Sequence, residues 1–508
     1  MHFKPQFLSP LNNKLSPYII LCIGLLYLVY LISGIQTDVF FQGDGGMKYM
    51  VIKQIAEGQG FKILQLNQPE WVQQVWQQGF FPIKIPFLYP SNEGYIVSFS
   101  PGFQIISAFF YETFGYLGLY IIPVTSIIVL WVFIFWVLQK LHTKVVFQSI
   151  ILLALIFASP LTVYGVTYWE HMPAVLLCFI GFVFLLFNFG NYQAFILGFL
   201  SGLSAWLRPE AMLLNLFFVL AAVILSIKAN KKSVFVYVIG IAISITLFLL
   251  FNKYVYQSYL GVHGYQVLDQ TLIQRIIRWG KNLLMINWLQ VKFFPVVLFI
   301  LPVLHLLIIK KKTLSLPIKL FLYLVIVFCL AAPWMLPNTG GGQWGPRYFL
   351  PLIPIILVLF TLIINYWRIE FFSNTFLFAF ITVLLGYSIF FNTYKGGEKS
   401  LRQAYTSRIK PPLEYVRNNP DSVIVVNTEH IPMEMGAIFS SKYFFLVENA
   451  QDWLKLETLF RDHNITTYTS VAEGDIRSLR SQQQHFKEIK AFKSGSYNIV
   501  RFNKIDAQ

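Results

Sequence analysis

The chain has 508 residues, of which 56% are hydrophobic, 18% aromatic and only 12% charged, with a mean hydropathy of +0.60. A soluble core of this length cannot bury so much apolar surface, so an ordinary globular enzyme is excluded and a polytopic membrane protein is expected. The net charge of +16 does not point to nucleic acid, because the lysines and arginines lie in short loops between apolar runs and not along one basic face.

Taken in chain order, apolar runs at 17–34, 117–138, 145–164, 172–189, 194–207, 211–227, 234–251, 293–309, 316–335, 348–366 and 374–392 predict about 11 transmembrane helices. The first is too long for a signal-peptide core and no A-x-A site follows it, so it reads as a retained anchor. Threading the runs places Lys4, Lys14, Lys140, Lys144, Lys228, Lys231, Lys232, Lys310 to Lys312 and Arg368 on one side. By the positive-inside rule that side, with the N-terminus, is cytoplasmic. The other side receives 35–116, 165–171, 208–210, 252–292, 336–347 and everything after 393. Cys22, Cys178 and Cys329 all fall in apolar runs and imply no disulfide framework.

The loop 35–116 is too long for a connector. Within it Met47, Met50, Val51 and Ile55 oppose Lys48, Lys53 and Glu57, which predicts an amphipathic helix lying on the membrane surface. A second such stretch sets Leu272, Ile273, Ile276, Ile277 and Trp279 against Arg275, Arg278 and Lys281. After Asn392 the composition turns polar, with β-like segments at 422–427, 443–447, 465–470 and 496–502 and a helical pattern from Asp452 to His463. The expected architecture is therefore an α-helical membrane domain over 1–392 and a small α/β extracytoplasmic domain over 393–508.

The acids are the informative residues. The apolar runs hold no Asp or Glu, while Asp44, Glu170 and Glu210 sit at run ends facing the outer side. Asp44 can act as a general base held at the membrane surface, or merely cap the helix that follows. Asp38 is a substitute that lies nearer the end of the first run. Glu170 and His171 can hold an acceptor or simply solvate a helix start. Arg208, Arg347 and, less centrally, Lys84 are phosphate candidates, because a guanidinium presents a fixed fork of donors; the competing reading is snorkelling to headgroups. Arg347 follows the flexible stretch Thr339-Gly340-Gly341-Gly342-Gln343. His305 reads as a packing residue, and no metal-ligand spacing is present. A transporter or flippase is the alternative class, but it needs intramembrane charge or paired broken helices, and acid-free runs without a repeat argue against it. A scaffold using the outer domain for binding is a third reading.

The order Gly43-Asp44-Gly45-Gly46-Met47-Lys48-Tyr49-Met50, Ala56-Glu57-Gly58-Gln59-Gly60-Phe61, Ser100-Pro101-Gly102-Phe103-Gln104-Ile105-Ile106, Phe114-Gly115, Trp206-Leu207-Arg208-Pro209-Glu210 and Trp344-Gly345-Pro346-Arg347-Tyr348-Phe349-Leu350-Pro351 resembles the GT-C class of membrane glycosyltransferases. The branch it is most similar to contains protein O-mannosyltransferases and bacterial aminoarabinose transferases. The resemblance implies transfer of a sugar from a polyprenyl-phosphate carrier to a lipid, glycan or protein acceptor at the outer face of a bacterial inner membrane. It implies Asp44 as the base and Glu170 as the second-loop acid; beside these, the residue chemistry above makes Arg347, Arg208 and Lys84 the expected donor-phosphate contacts and His171 and Tyr49 the expected acceptor contacts. Many members carry an acidic doublet where this chain has Gly43-Asp44-Gly45, which leaves the use of a divalent cation open.

Overall fold

Backbone groups in hydrocarbon must find partners within their own segment, and the apolar runs within the described residues accordingly form helices. The computed structural model describes residues 13–226, 231–262, 271–299, 301, 314–340, 344–367, 375–474 and 485–505. Helices occupy Ser16–Ile32, Ile121–Lys140, Val145–Ile156, His171–Phe184, Asn191–Leu207, Ala211–Ser226, Lys231–Tyr256, Leu316–Met335, Leu352–Trp367 and Thr375–Phe390. Among the described residues, Pro101–Lys140, Lys232–Tyr256 and Leu316–Met335 are helices long and apolar enough to cross a membrane. Most of the predicted run 293–309, together with Lys4, Lys228, His305, Lys310 to Lys312, Gly341 to Gln343 and Arg368, lies outside the described residues.

The chain divides into two units, one comprising Met1–Ile32 and Tyr120–Ser400, the other Ser33–Leu119 and Leu401–Gln508. In the first, small residues bring helices into backbone contact. Gly198 and Gly202, one turn apart on Asn191–Leu207, face Lys231–Tyr256: a Cβ at Gly198 would meet the Tyr237 carbonyl, and one at Gly202 would lie 2.7 Å from Ser244 Cβ. Gly240 reciprocates, with Phe195 O 2.5 Å from where its Cβ would be. Close approach of this kind is how apolar helices gain dispersion contact when lipid removes the hydrophobic drive between them. Asn215 is buried at the same bundle and bonds Ser204 Oγ and the Ala211 carbonyl, both at 3.0 Å. The stretch predicted amphipathic at 272–281 begins a longer helix, Leu272–Phe293, whose Thr271 cap accepts from Gln274 N. Leu272, Ile273, Ile277 and Trp288 remain exposed on it.

The second unit is α/β. A hairpin pairs β1 (Leu88–Ser91) with β2 (Gly94–Val97). A five-stranded sheet contains β3 (Val423–Val426), β4 (Tyr443–Leu446), β5 (Thr467–Ala472), β6 (Phe486–Ser494) and β7 (Tyr497–Lys504) in the order β4-β3-β5-β7-β6. β4 and β5 run parallel to β3, and β7 runs antiparallel to both β5 and β6. The interior Val-Ile-Val-Val strand, β3, is buried along its length, as a strand covered on both faces must be. Helix Ala450–Asp462 starts at Asn449, whose side chain accepts from Gln451 N and Asp452 N. Just before β3, Asp421 takes a bidentate pair from Arg501 at 2.8 Å and hydroxyls from Thr467 and Thr469. Burial raises its carboxyl, but these four donors outweigh that and hold it below the usual range.

The helix predicted to lie on a surface is enclosed instead. Gly43–Ala56 buries Met47, Lys48, Tyr49, Val51, Ile52 and Gln54. Lys48, expected on a polar face, is 1% exposed and has its ammonium 4.6 Å from the Phe99 ring centre. The reason is tertiary: helix Pro101–Phe114 and the segment His430–Ile438 both pack against it.

Candidate active site

The glycines around Asp44 are explained by their neighbours. A Cβ on Gly46 would collide with the Met433 carbonyl, one on Gly43 would lie 2.8 Å from Met433 Cβ, and Gly436 meets Gly46 O at 2.6 Å in the reverse direction. The C-terminal segment thus sets its backbone directly on the first turn of the helix that carries Asp44. The N-cap is Gln42, in extended conformation, so Asp44 lies inside the first turn and not at the cap position. It is partly exposed. The helix ends in Glu57, with Gly58 at φ 75 taking the left-handed position beyond it.

Asp38 is held by architecture: Arg417 Nη2 reaches its Oδ2 at 2.8 Å and the Tyr49 hydroxyl its Oδ1 at 3.3 Å. Tyr49 also shares a 3.0 Å hydrogen bond with the Tyr111 hydroxyl. Burial, followed by these partners, pushes the Tyr49 phenol well above its ordinary range, so it stays protonated and donates. Lys84 is ion-paired with Glu448.

In the first unit a separate cluster forms. Glu170 and Arg208 are buried, and Arg208 Nη1 lies 3.1 Å from Glu170 Oε1 while its Nε and Nη2 reach Glu210 Oε1 at 2.7 and 2.5 Å. Arg347 donates to the Tyr348 hydroxyl at 3.0 Å and to Asn338 Oδ1 at 3.4 Å, and the Tyr348 hydroxyl donates to the same Asn338 oxygen at 3.0 Å. Both guanidinium groups stand over the Tyr348 ring, at 5.4 Å for Arg208 and 4.9 Å for Arg347. A small cavity lies between His171, Arg208, Glu210, Arg347 and Tyr348, closed by Leu214 and Phe328. The Trp344-Gly345-Pro346-Arg347 turn that delivers Arg347 is pinned at two points. Gly345 has φ 91 and packs on Pro160, and Trp344 Nε1 donates to Asn392 Oδ1 at 3.1 Å. Asn392, 2% exposed, also bonds the carbonyls of Ala158, Phe293 and Ser388.

Glu170, His171, Arg208 and Arg347 therefore come together in the first unit, while Asp44, Tyr49 and Lys84 belong to the second. Asn338, Tyr348 and Asn392 were not singled out from sequence. An isolated amide beside an apolar run carries no spacing signal, although Tyr348 stands inside a motif already marked. Among the described residues no group of three or more His, Cys, Asp or Glu side chains is placed to hold a metal ion.

No family model and no curated protein matches the sequence. Solved structures do match in fold. The crystal structure of ArnT from Cupriavidus metallidurans bound to undecaprenyl phosphate superposes with a TM-score of 0.51 at 10% identity, covering 95% of this chain and 97% of that one. The apo form of the same protein gives a TM-score of 0.51 at 11% identity with the same coverage. The likeness runs over nearly the whole of both chains and places this fold with that of ArnT, as the sequence motifs led one to expect.

Proposed function

We propose that the chain is a membrane glycosyltransferase that moves a sugar from a polyprenyl-phosphate donor to an acceptor on the extracytoplasmic face, with inversion. The observation that supports this most is the end-to-end likeness in fold to ArnT, one structure of which holds undecaprenyl phosphate. In this reading Asp44 takes the proton from an acceptor hydroxyl as that oxygen attacks the anomeric carbon, and the carrier phosphate departs with the bonding electrons. Phosphate is already a good leaving group, so one carboxylate suffices and a single displacement inverts the centre.

Arg347 is the preferred phosphate contact. It lines the cavity with His171 and stands over the Tyr348 ring, while Arg208 is paired with Glu170 and Glu210, and Lys84 with Glu448. Glu170 then acts by holding Arg208 beside Tyr348, and His171, lining the same cavity, contacts the substrate. Tyr49 donates to Asp38, and in this reading it supports the acceptor side of the site. The N-terminus is cytoplasmic and the C-terminal residues lie outside, in the inner membrane of a bacterium.

The test is turnover of radiolabelled polyprenyl-phosphate sugars by the purified protein. Asp44→Asn is expected to lower transfer by about 10²–10⁴-fold while the protein still folds and inserts. Unchanged turnover removes Asp44 from the mechanism, and a donor that is bound but never cleaved by the native chain removes the enzyme class.

A further inference from the structure

Arg347 stands on a segment with two flanks, and both flanks are tied to the same helix, Leu272–Phe293. On the early flank Asn282 Nδ2 donates to the carbonyls of Leu336 at 3.0 Å and Pro333 at 3.4 Å. These carbonyls close the helix Leu316–Met335, whose last turn has no partners of its own. Two residues on, Asn338 Oδ1 accepts from Gly340 N at 2.9 Å and also from Arg347 and the Tyr348 hydroxyl.

On the late flank Asn392 has the corresponding place. Its Nδ2 donates to Phe293 O, the last carbonyl of the same helix, at 2.8 Å and to Ala158 O at 3.1 Å, while its Oδ1 accepts from Trp344 Nε1. The Trp344 ring meets Phe293 edge-on at 4.9 Å and lies along Phe391 at 5.2 Å. Gly396 leaves room for it: a Cβ there would lie 2.6 Å from the indole.

Asn282 and Asn392 are 1% and 2% exposed, and their hydrogen bonds act on Arg347 only through the chain between. A buried amide aimed at main-chain carbonyls fixes backbone, and a guanidinium is only as well aimed as the backbone that carries it. From Trp344 to Arg347 the chain makes one tight turn, with Gly345 at φ 91 and Arg347 N donating to Gly345 O at 3.1 Å. Little slack separates the Asn392 bond from the arginine three residues on. With Asn338 holding the far end of the side chain, the guanidinium is placed from both flanks at once.

We propose that Asn392 is a positioning residue for Arg347: through Trp344, and with Asn282 at the other flank, it joins the segment to helix Leu272–Phe293 and sets where the guanidinium stands. That the group so aimed meets a phosphate rests on the proposed transferase reading; the placement itself does not.

The test compares the affinities of the full chain in lipid nanodiscs for undecaprenyl phosphate and for undecaprenol, which lacks the phosphate. Asn392→Ala and Asn282→Ala are each expected to lower the preference for the phosphate by about tenfold, and to have no such effect when Arg347→Ala is already present, because changes acting through one group do not add. Hydrogen exchange over 344–349 is expected to quicken in both. Trp344→Phe, which removes the indole donor and keeps a ring, should lower the preference by about threefold, and it carries the test if an amide variant fails to fold. Folded variants that keep the native preference overturn the proposal. So does an equal loss with and without Arg347, the mark of a merely structural role. If Arg347→Ala by itself leaves the preference untouched, the phosphate reading falls, and exchange over 344–349 decides the placement alone: faster exchange supports it, and native exchange overturns it.

Discussion

The two units handle their carboxylates in opposite ways. In the first, buried Glu170 and largely covered Glu210 share one guanidinium, Arg208. In the second, Asp38 takes Arg417, whereas Asp44 sits six residues on, partly exposed in the first turn of a helix whose glycines are pressed against another segment. Position at the end of an apolar run is common to Glu170, Glu210 and Asp44, and so does not separate them. Depth does: Glu170 is buried beside Arg208, while Asp44 is partly exposed on a helix turn in contact with another segment.

The comparison breaks most readily at its two ends. Asp44→Asn is expected to reduce transfer by about 10²–10⁴-fold while the protein still folds. Glu170→Gln should show the reverse balance, a lower unfolding temperature and a smaller loss of turnover. Equal losses from both, measured on protein in nanodiscs, would mean that the buried acid takes a direct part in the chemistry.

Arg208→Ala sharpens the first half. Removing the shared partner leaves the buried Glu170 carboxylate without Arg208, and breaking such a pair costs about 3–5 kcal/mol. The double change Arg208→Ala with Glu170→Gln should recover part of that loss, because one buried charge is then gone. Thermal unfolding of the three variants tests it, and no recovery would indicate that Arg208 matters through packing on Tyr348 and not through charge. Arg347→Ala should lower turnover by about 10²–10³-fold, the scale of one charge-stabilising donor.

These contrasts bear on what could be read from the residues alone. The apolar runs, the four strand segments and the helix from Asp452 were legible because each reports its environment through local periodicity. β6 was not: Phe486–Ser494 carries lysines on both faces at the sheet edge and shows no alternation. The face of the Asp44 helix was also misjudged. Its pattern looks amphipathic in isolation, but the segments that enclose it come from Phe99, Phe103 and Met433, and a contact across nearly four hundred residues leaves no periodic trace. The arginine motifs were visible, whereas the rule that assigns them, which carboxylate reaches which guanidinium, is a property of the folded chain.

Glu434 offers a smaller effect, and one with a sign. It lies one residue from the Met433 carbonyl that meets Gly46, is buried, and accepts from the Tyr497 hydroxyl. Burial pushes its carboxyl up to about 7, against the lowering influence of Tyr497 and Arg408. A raised acid binds its proton more tightly folded than unfolded. Stability is therefore greatest at low pH, falls as pH rises from the ordinary glutamate range through about 7, and is flat beyond. The expected span is on the order of 3 kcal/mol. Asp421 contributes with the opposite sign, because its lowered carboxyl loses stability only as acid protonates it. Glu434→Gln should remove the slope between mildly acidic and neutral pH and leave the acid limb set by Asp421. A slope that persists in this variant places the titrating group elsewhere.

Gly46→Ala addresses the clamp itself. The added methyl would meet a backbone carbonyl, which cannot swing aside as a side chain would, so the helix or the Met433 segment has to shift. Overpacking of this kind costs about 1–3 kcal/mol. The useful measurement is how the cost divides between stability and turnover. If the second unit merely tolerates the contact, unfolding temperature drops and kcat stays. If the contact sets the direction of Asp44, kcat falls more than stability does, KM for the donor is unchanged, and Gly436→Ala on the opposite side of the same contact repeats the pattern. A fall in stability alone from both variants would reduce the clamp to packing and leave Asp44 positioned by its own helix turn.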